Sequence, residues 1–240
     1  MPLPLLATPT FELIQPSTGK PIEYRPFLVK EEKNLLIALE ADDEKETSRA
    51  VKNIIKSCVI STVDVEKLPS FDIEYIFLNI RSKSVGELIE LQYHHIDNTN
   101  NAGDECKHVQ NISVDVNEIT CVASDDHSKK VHLTDTIGIV MKYPTLREVE
   151  KAQAKKSEVD SLFSLISSSV ESVWEGEDVT TEFADEEMDA FIESMTNDQF
   201  EKLKTFFDTM PRVRYTIEYT CGGCGEETKV DIEGLQSFFT

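Results

Sequence analysis

Val213-Arg214-Tyr215-Thr216-Ile217-Glu218-Tyr219-Thr220-Cys221-Gly222-Gly223-Cys224-Gly225, followed by Thr228-Lys229-Val230-Asp231-Ile232, is the stretch that decides the fold. Apolar and polar residues alternate on both sides of the Cys-Gly-Gly-Cys-Gly turn, the period of half-buried strands joined in an antiparallel hairpin. Cys221 and Cys224 have the spacing of a zinc knuckle. In a knuckle a tight turn aims two thiolates at one tetrahedral ion, and the glycines supply the backbone angles of the turn. One knuckle gives two of four ligands. The other two are sought in a longer hairpin, Leu88 to Tyr93 and Val109 to Val116, whose polar loop runs from His94 to Asp104. His94 or His95 at its entrance, and Cys106 and His108 at its exit, are the remaining donors. Two facing hairpins with two ligands each follow the logic of a zinc ribbon, and four protein ligands leave no open position for water, so such a zinc ion is structural. The same CxxC also fits a metal-free hairpin or a redox pair. A thioredoxin-like pair, however, sits at a helix N-terminus, and here a strand follows.

Upstream, Phe11 to Ile14, Pro21 to Val29 and Asn34 to Leu39 read as β, parted by the turn Pro16-Ser17-Thr18-Gly19 and by Glu31-Glu32-Lys33, with residues 30–40 alternatively helical. Ala50, Val51, Ile54, Ile55 and Cys58 recur at helical spacing, as do Ile73, Ile76, Phe77 and Ile80 after the start signal Pro69-Ser70. Short strands fill Val85 to Val140. Thr145 to Trp174 reads as one long helix opened by a Thr145/Glu148 capping box, with Leu162, Phe163, Leu165, Ile166, Val170, Val173 and Trp174 as its apolar stripe. After an acidic break at Glu175 to Thr181 come helices from Asp185 to Met195 and from Asn197 to Met210, then the closing hairpin and a Leu235 to Phe239 tail. The expectation is an α+β protein: antiparallel β-hairpins, two of them a zinc-ribbon-like pair, with helices packed on one side. Residues 1–143 form an N-terminal α+β region with the long hairpin, 144–210 a helical segment, and 211–240 a CxxC hairpin packing back on the first region.

Composition narrows the function. The chain has 240 residues, 40% hydrophobic and 29% charged, which is enough to bury a sizeable core. Its 24 basic against 45 acidic residues give a net charge of −21. Nucleic-acid affinity depends on Lys and Arg displacing condensed counterions, so phosphate backbones repel this surface, and anionic membranes do likewise. The partners expected are proteins, with no nucleic acid and no membrane. No apolar run has transmembrane length. Met1 to Pro9 lacks a basic n-region and carries three prolines, so it reads as no secretory signal. A reducing cytoplasm is the expected setting, and the five cysteines are thiols or metal ligands. Cys58 and Cys121 lie in apolar patterns and read as core. His127 and His132, near Asp125, Asp126 and Asp135, read as a solvated loop, and Arg212 and Arg214 as a strand's surface face.

Neither a GxSxG elbow, a phosphate loop, an HExxH nor a GxGxxG after a strand is present. The acidic pairs from Glu182 to Glu193 read as a solvated helix face. The reading is non-enzymatic.

Several blocks carry a resemblance. They are Ser17-Thr18-Gly19-Lys20, Tyr24-Arg25-Pro26-Phe27-Leu28-Val29-Lys30-Glu31-Glu32-Lys33, Leu35 to Glu40, Leu68-Pro69-Ser70-Phe71-Asp72-Ile73-Glu74-Tyr75-Ile76-Phe77-Leu78 and Ile80-Arg81-Ser82-Lys83-Ser84-Val85-Gly86-Glu87. Met141-Lys142-Tyr143-Pro144, Phe200 to Pro211 and Leu235 to Phe239 continue them. In this order the chain resembles the baseplate hub proteins of T-even-like myovirus bacteriophages, of the hub subunit and hub assembly catalyst type. The resemblance implies an assembly factor (a chaperone for the tail) or a minor structural part of the hub. It would be found in the host cytoplasm during assembly or in the virion tail baseplate, with other baseplate or tail proteins as partners and no active site. Tyr24, Arg25, Phe27, Lys30 and Lys33 are the contact residues it suggests, being aromatic or charged, with Phe27 in the core as the other reading. The alternative function is a zinc-ribbon protein associated with nucleic acid or transcription, against which the charge argues.

Overall fold

The computed structural model describes residues 6–41, 43–94, 106 and 108–234. In chain order the elements are β1 (Phe11–Ile14), β2 (Pro21–Tyr24), α1 (Val29–Glu40), α2 (Glu44–Cys58), α3 (Ser70–Val85), β3 (Leu88–His94), β4 (Val109–Asp115) and β5 (Thr120–Val122). Then follow β6 (Lys130–His132), β7 (Ile137–Met141), α4 (Leu146–Gln153), α5 (Glu158–Ser168), β8 (Val170–Glu175) and β9 (Asp178–Thr180). The last are α6 (Asp185–Glu193), α7 (Asn197–Thr209), β10 (Arg212–Thr220) and β11 (Glu227–Glu233). The protein is α+β, with β1–β2, β3–β4, β6–β7, β7–β8, β8–β9 and β10–β11 all paired antiparallel. Its contacts divide it into two compact units: Met1–Val65, Phe71–Cys121 and Arg212–Thr240 in the first, Glu66–Ser70 and Val122–Pro211 in the second. Residues 122–143, grouped by sequence with the N-terminal region, thus share a unit with the helical segment.

In the first unit the turn after β1 is closed by the Gln15 N–H on the Lys20 carbonyl, with Gly19 at φ 67°. Residues 34–39, read first as a strand, are helical. Glu31, Leu35 and Ala38 are the buried positions, a 3–4 spacing, and the Glu31 carboxylate caps the helix by accepting from Leu28 N–H at 2.7 Å. The β3–β4 and β10–β11 hairpins share one core. Ile89, Leu91, Val114, Val213, Ile217 and Ile232 from their strands meet Leu78 and Tyr75 of α3. Strand β10 lies between β11 and β5. On the hairpin's outer face Arg212 and Arg214 both pair with Glu233, and Lys229 pairs with Glu218.

The second unit is the sheet β6-β7-β8-β9 with α5, α6 and α7 contributing to its core. The Thr145/Glu148 box is present, with Thr145 N–H donating to the Glu148 carboxylate at 2.7 Å. The single helix expected from Thr145 to Trp174 is instead α4, α5 and strand β8. A new helix starts after Ser157. Val170, Val173 and Trp174 leave the helix to pair with β7, where Val170 and Ser172 turn inward at period two. Gly176, at φ 60°, turns the acidic break into a hairpin between β8 and β9. Gly138 admits Trp174: a Cβ there would lie 2.1 Å from the indole. His132 meets the same indole edge-on.

Candidate metal centre and contact surface

At the end of β10 the chain turns within six residues. Cys221 N–H donates to the Glu226 carbonyl and Gly225 N–H to the Cys221 carbonyl, each at 2.8 Å. Gly225 adopts the left-handed φ of 75° that this turn demands. Gly222 and Gly223 are not in that region, which corrects the expectation that they supply unusual angles. They are glycine for proximity. A Cβ on Gly223 would sit 2.6 Å from His108 Cβ and 3.3 Å from Cys106 Sγ, and one on Gly222 would sit 3.1 Å from His108 Nε2. The imidazole and the Cys106 thiol occupy the space two side chains would fill.

The tip of the β3–β4 hairpin therefore faces the knuckle. Cys106 Sγ lies 3.7 Å from Cys221 Sγ, and the sulfurs of Cys106, Cys221 and Cys224 all lie within 4.8 Å of one another. Gly222 N–H adds a bond to Gln110 Oε1 at 3.3 Å. Backbone N–H groups of Cys224 and, against the opposing effect of burial, of Gly223 pull the Cys221 thiol down to about 6. Cys224 moves the other way: the Glu226 N–H favours its thiolate, but burial and the Cys221 and Cys106 sulfurs outweigh it. Three thiols this close cannot all ionise without a cation. The cluster can hold a metal ion. His108, exposed and laid along the two glycines, is outside the group of donors within 4.8 Å. His94 pairs through its backbone with Val109; its side chain, and the whole of His95, lie outside the described residues.

Cys58 and Cys121 are different thiols. Burial pushes them up to about 11 and about 12, so both remain neutral core groups. His127 is less solvated than its acidic neighbours suggest. Its Nδ1 is 2.9 Å from Thr209 Oγ1, its Nε2 is 3.0 Å from Tyr143 OH, and its ring packs on Phe206.

The residues suggested as contacts separate by burial. Tyr24 is 1% exposed and Phe27 8%, so both side chains lie in the core, for Phe27 the other reading that the sequence left open. Arg25 bonds Glu31 at 3.2 Å and the Pro26 carbonyl at 2.8 Å, fixing the entry to α1. Lys30 and Lys33 are exposed. With them on α1 stand Val29, Leu36 and Ile37, exposed at 80%, 53% and 54%. Val29, Lys33, Leu36 and Ile37 fall at i, i+4, i+7 and i+8, one stripe opposite the buried Glu31, Leu35 and Ala38. This outward apolar stripe went unseen in the sequence because strand and helix both remained open for the segment. A second unseen feature joins two of the resembling blocks: the buried Asp72 carboxylate accepts from Gln15 Nε2 at 2.6 Å, from Ser17 N–H at 3.0 Å and from Ser17 Oγ.

No helix among the described residues is long and apolar enough to cross a membrane. The family model described as T4 bacteriophage base plate protein matches residues 8–240. No curated protein and no solved structure matches the chain. With the match running through both structural units, the chain belongs to the family of T4 bacteriophage base plate proteins.

Proposed function

We propose that this baseplate protein acts in building the hub, as an assembly factor or a minor hub component, by docking onto other baseplate or tail proteins and without covalent chemistry. The observation that carries the reading is the outward stripe of α1, where Val29, Leu36 and Ile37 leave apolar surface in water beside Lys30 and Lys33. Apolar groups held at a helix surface by a rigid opposite face gain free energy only when something covers them. The protein would work in the host cytoplasm during assembly and in the tail baseplate of the virion. Zinc belongs to the reading as a structural ion, because thiolates are its preferred soft ligands and three converge here.

Exposed substitutions on α1 leave the fold intact, within about 0.5 kcal/mol. The double variant Leu36→Asp/Ile37→Asp should therefore keep the wild-type melting temperature. It should lose capture of baseplate proteins from infected cells and fail to complement a defective phage. Capture and complementation at wild-type level would remove α1 as the docking face.

A further inference from the structure

Burial runs out along the paired hairpins toward the cysteines. At their base Ile89, Leu91, Val114, Val213, Ile217 and Ile232 are all buried. Ile112 and Val230, directly opposite Leu91 and Ile217, are half-buried, and one step nearer the cysteines so are the inward Tyr93 and Tyr219. At the tip itself, where the apolar contacts are thinnest, Cys221 is 2% exposed and the three sulfurs converge. The polar link there, Gly222 N–H to Gln110 Oε1, is a long neutral bond of small net worth in partly exposed surroundings. Among the described residues, apolar packing is dense at the base and thins toward Cys106 and the knuckle.

We infer that a zinc ion held by the Cys106, Cys221 and Cys224 thiolates clamps the tips of the β3–β4 and β10–β11 hairpins together. Bound metal then holds Cys106 of the β3–β4 hairpin to the turn of the β10–β11 hairpin. The inference rests on the metal part of the function proposed above and is independent of the docking face. Cys106 and Cys221 stand 115 residues apart, so one ion joins chain segments that nothing local connects. Binding releases the thiol protons to solvent and forms three Zn–S bonds, with no change of oxidation state. The glycines of the knuckle are part of the device: only bare backbone at Gly222 and Gly223 lets the Cys106 thiol and the His108 ring come this close. His108 closes over the turn, and the closed tip is held by the ion.

The test uses the full chain purified under reductant. Elemental analysis should give one zinc per chain. Cobalt substitution should give an intense thiolate-to-metal charge-transfer band. Cys106→Ser, Cys221→Ser and Cys224→Ser should each weaken zinc by at least about tenfold, the effect expected of a lost ligand or its supporting shell, while Cys121→Ala keeps it. Hydrogen exchange of segments 91–94, 109–112 and 219–228 should accelerate at least about tenfold when zinc is stripped by a chelator, with α3 and the base of the strands unchanged. Absence of zinc and of the cobalt band, or a disulfide among the three cysteines in protein isolated under reductant, overturns the site. Equal exchange at the tips with and without bound zinc overturns the clamp. Should the serine variants not fold, the wild-type cobalt spectrum and exchange data decide. Loss of zinc with capture of baseplate proteins intact separates failure here from failure of the docking face.

Discussion

The two units solve the same problem with different materials. The second closes around aromatic and aliphatic side chains, Tyr143, Phe163, Phe200, Phe206 and Phe207 among them, with Trp174 seated on Gly138. The first also has an apolar core, but buries groups that titrate or ligate: Asp72 under the β1–β2 turn, Glu31 at the start of α1 and Cys221, beside which the half-buried Cys106 and Cys224 thiols converge. A core of dispersion contacts is indifferent to metal and only weakly sensitive to acid, whereas polar pins make a fold conditional on its solution. The difference is experimentally convenient. The single tryptophan, Trp174, lies in the second unit, and the thiol cluster in the first, so fluorescence and cobalt absorbance report the two separately.

The largest expected effect is on the aromatic side. Phe206→Ala removes a ring that is 2% exposed and contacts His127, Tyr143 and Phe207, at a cost of about 3–5 kcal/mol. Trp174 emission should lose its cooperative transition at lower denaturant while the cobalt band stays. Loss of both in parallel would erase the distinction between the units.

Asp72→Ala comes next. It strips the acceptor from Gln15 and Ser17 and should cost about 1–3 kcal/mol, read as faster exchange across β1–β2 with Trp174 emission unchanged. A change confined to Trp174 would place the pin in the wrong unit.

The smallest effect is one of sign. Burial pushes the Glu74 carboxyl of α3 up to about 7, and raises Asp72 despite its hydrogen bonds. Their folded values exceed the unfolded ones, so the first unit binds more protons when folded and gains stability as pH falls from 7 toward 4.5. Glu31 is held low: burial opposes, but the Leu28 N–H, Arg25 and Lys30 prevail, so its contribution is present above 4.5 and lost below. His127 is held below 6.5 by burial, with Lys129 adding to the effect, and the second unit loses stability as pH falls through 6.5. Between pH 7 and 5, α3 amides should gain protection after correction for the intrinsic exchange rate at each pH, while the denaturation midpoint seen by Trp174 drops. Movement of both in one direction would refute the assignment.

What was legible in the sequence follows the same division. The hairpins were, because alternation along Val213 to Thr220 and Thr228 to Ile232 is long enough to exclude a helix, and the CxxC between them marked the turn. Asn34 to Leu39 was not. Six residues with five apolar ones fit a strand or a helix, and only the Glu31 carboxylate closing on Leu28 N–H decides for the helix. Val170 to Trp174 misled in the opposite way, since its apolar residues extend a helical stripe by chance and pairing with β7 overrides it. Of the metal donors, Cys221 and Cys224 announced themselves by spacing. Cys106 could be proposed only as one of several partners, because proximity across 115 residues is a tertiary fact. The burial of Tyr24 and Phe27 is of the same kind.

The first unit is discontinuous, and that has a consequence in time. Cys106 leaves the ribosome 115 residues ahead of Cys221, a wait on the order of ten seconds at ordinary synthesis rates. Throughout it β3 and β4 lack Val213, Ile217 and Ile232 as core neighbours, while the strands and helices of the intervening unit are being made. Near the end of it the nascent chain carries an unfinished module followed by a finished one, and the first of the three clustered thiols stays open to capture until translation delivers the other two.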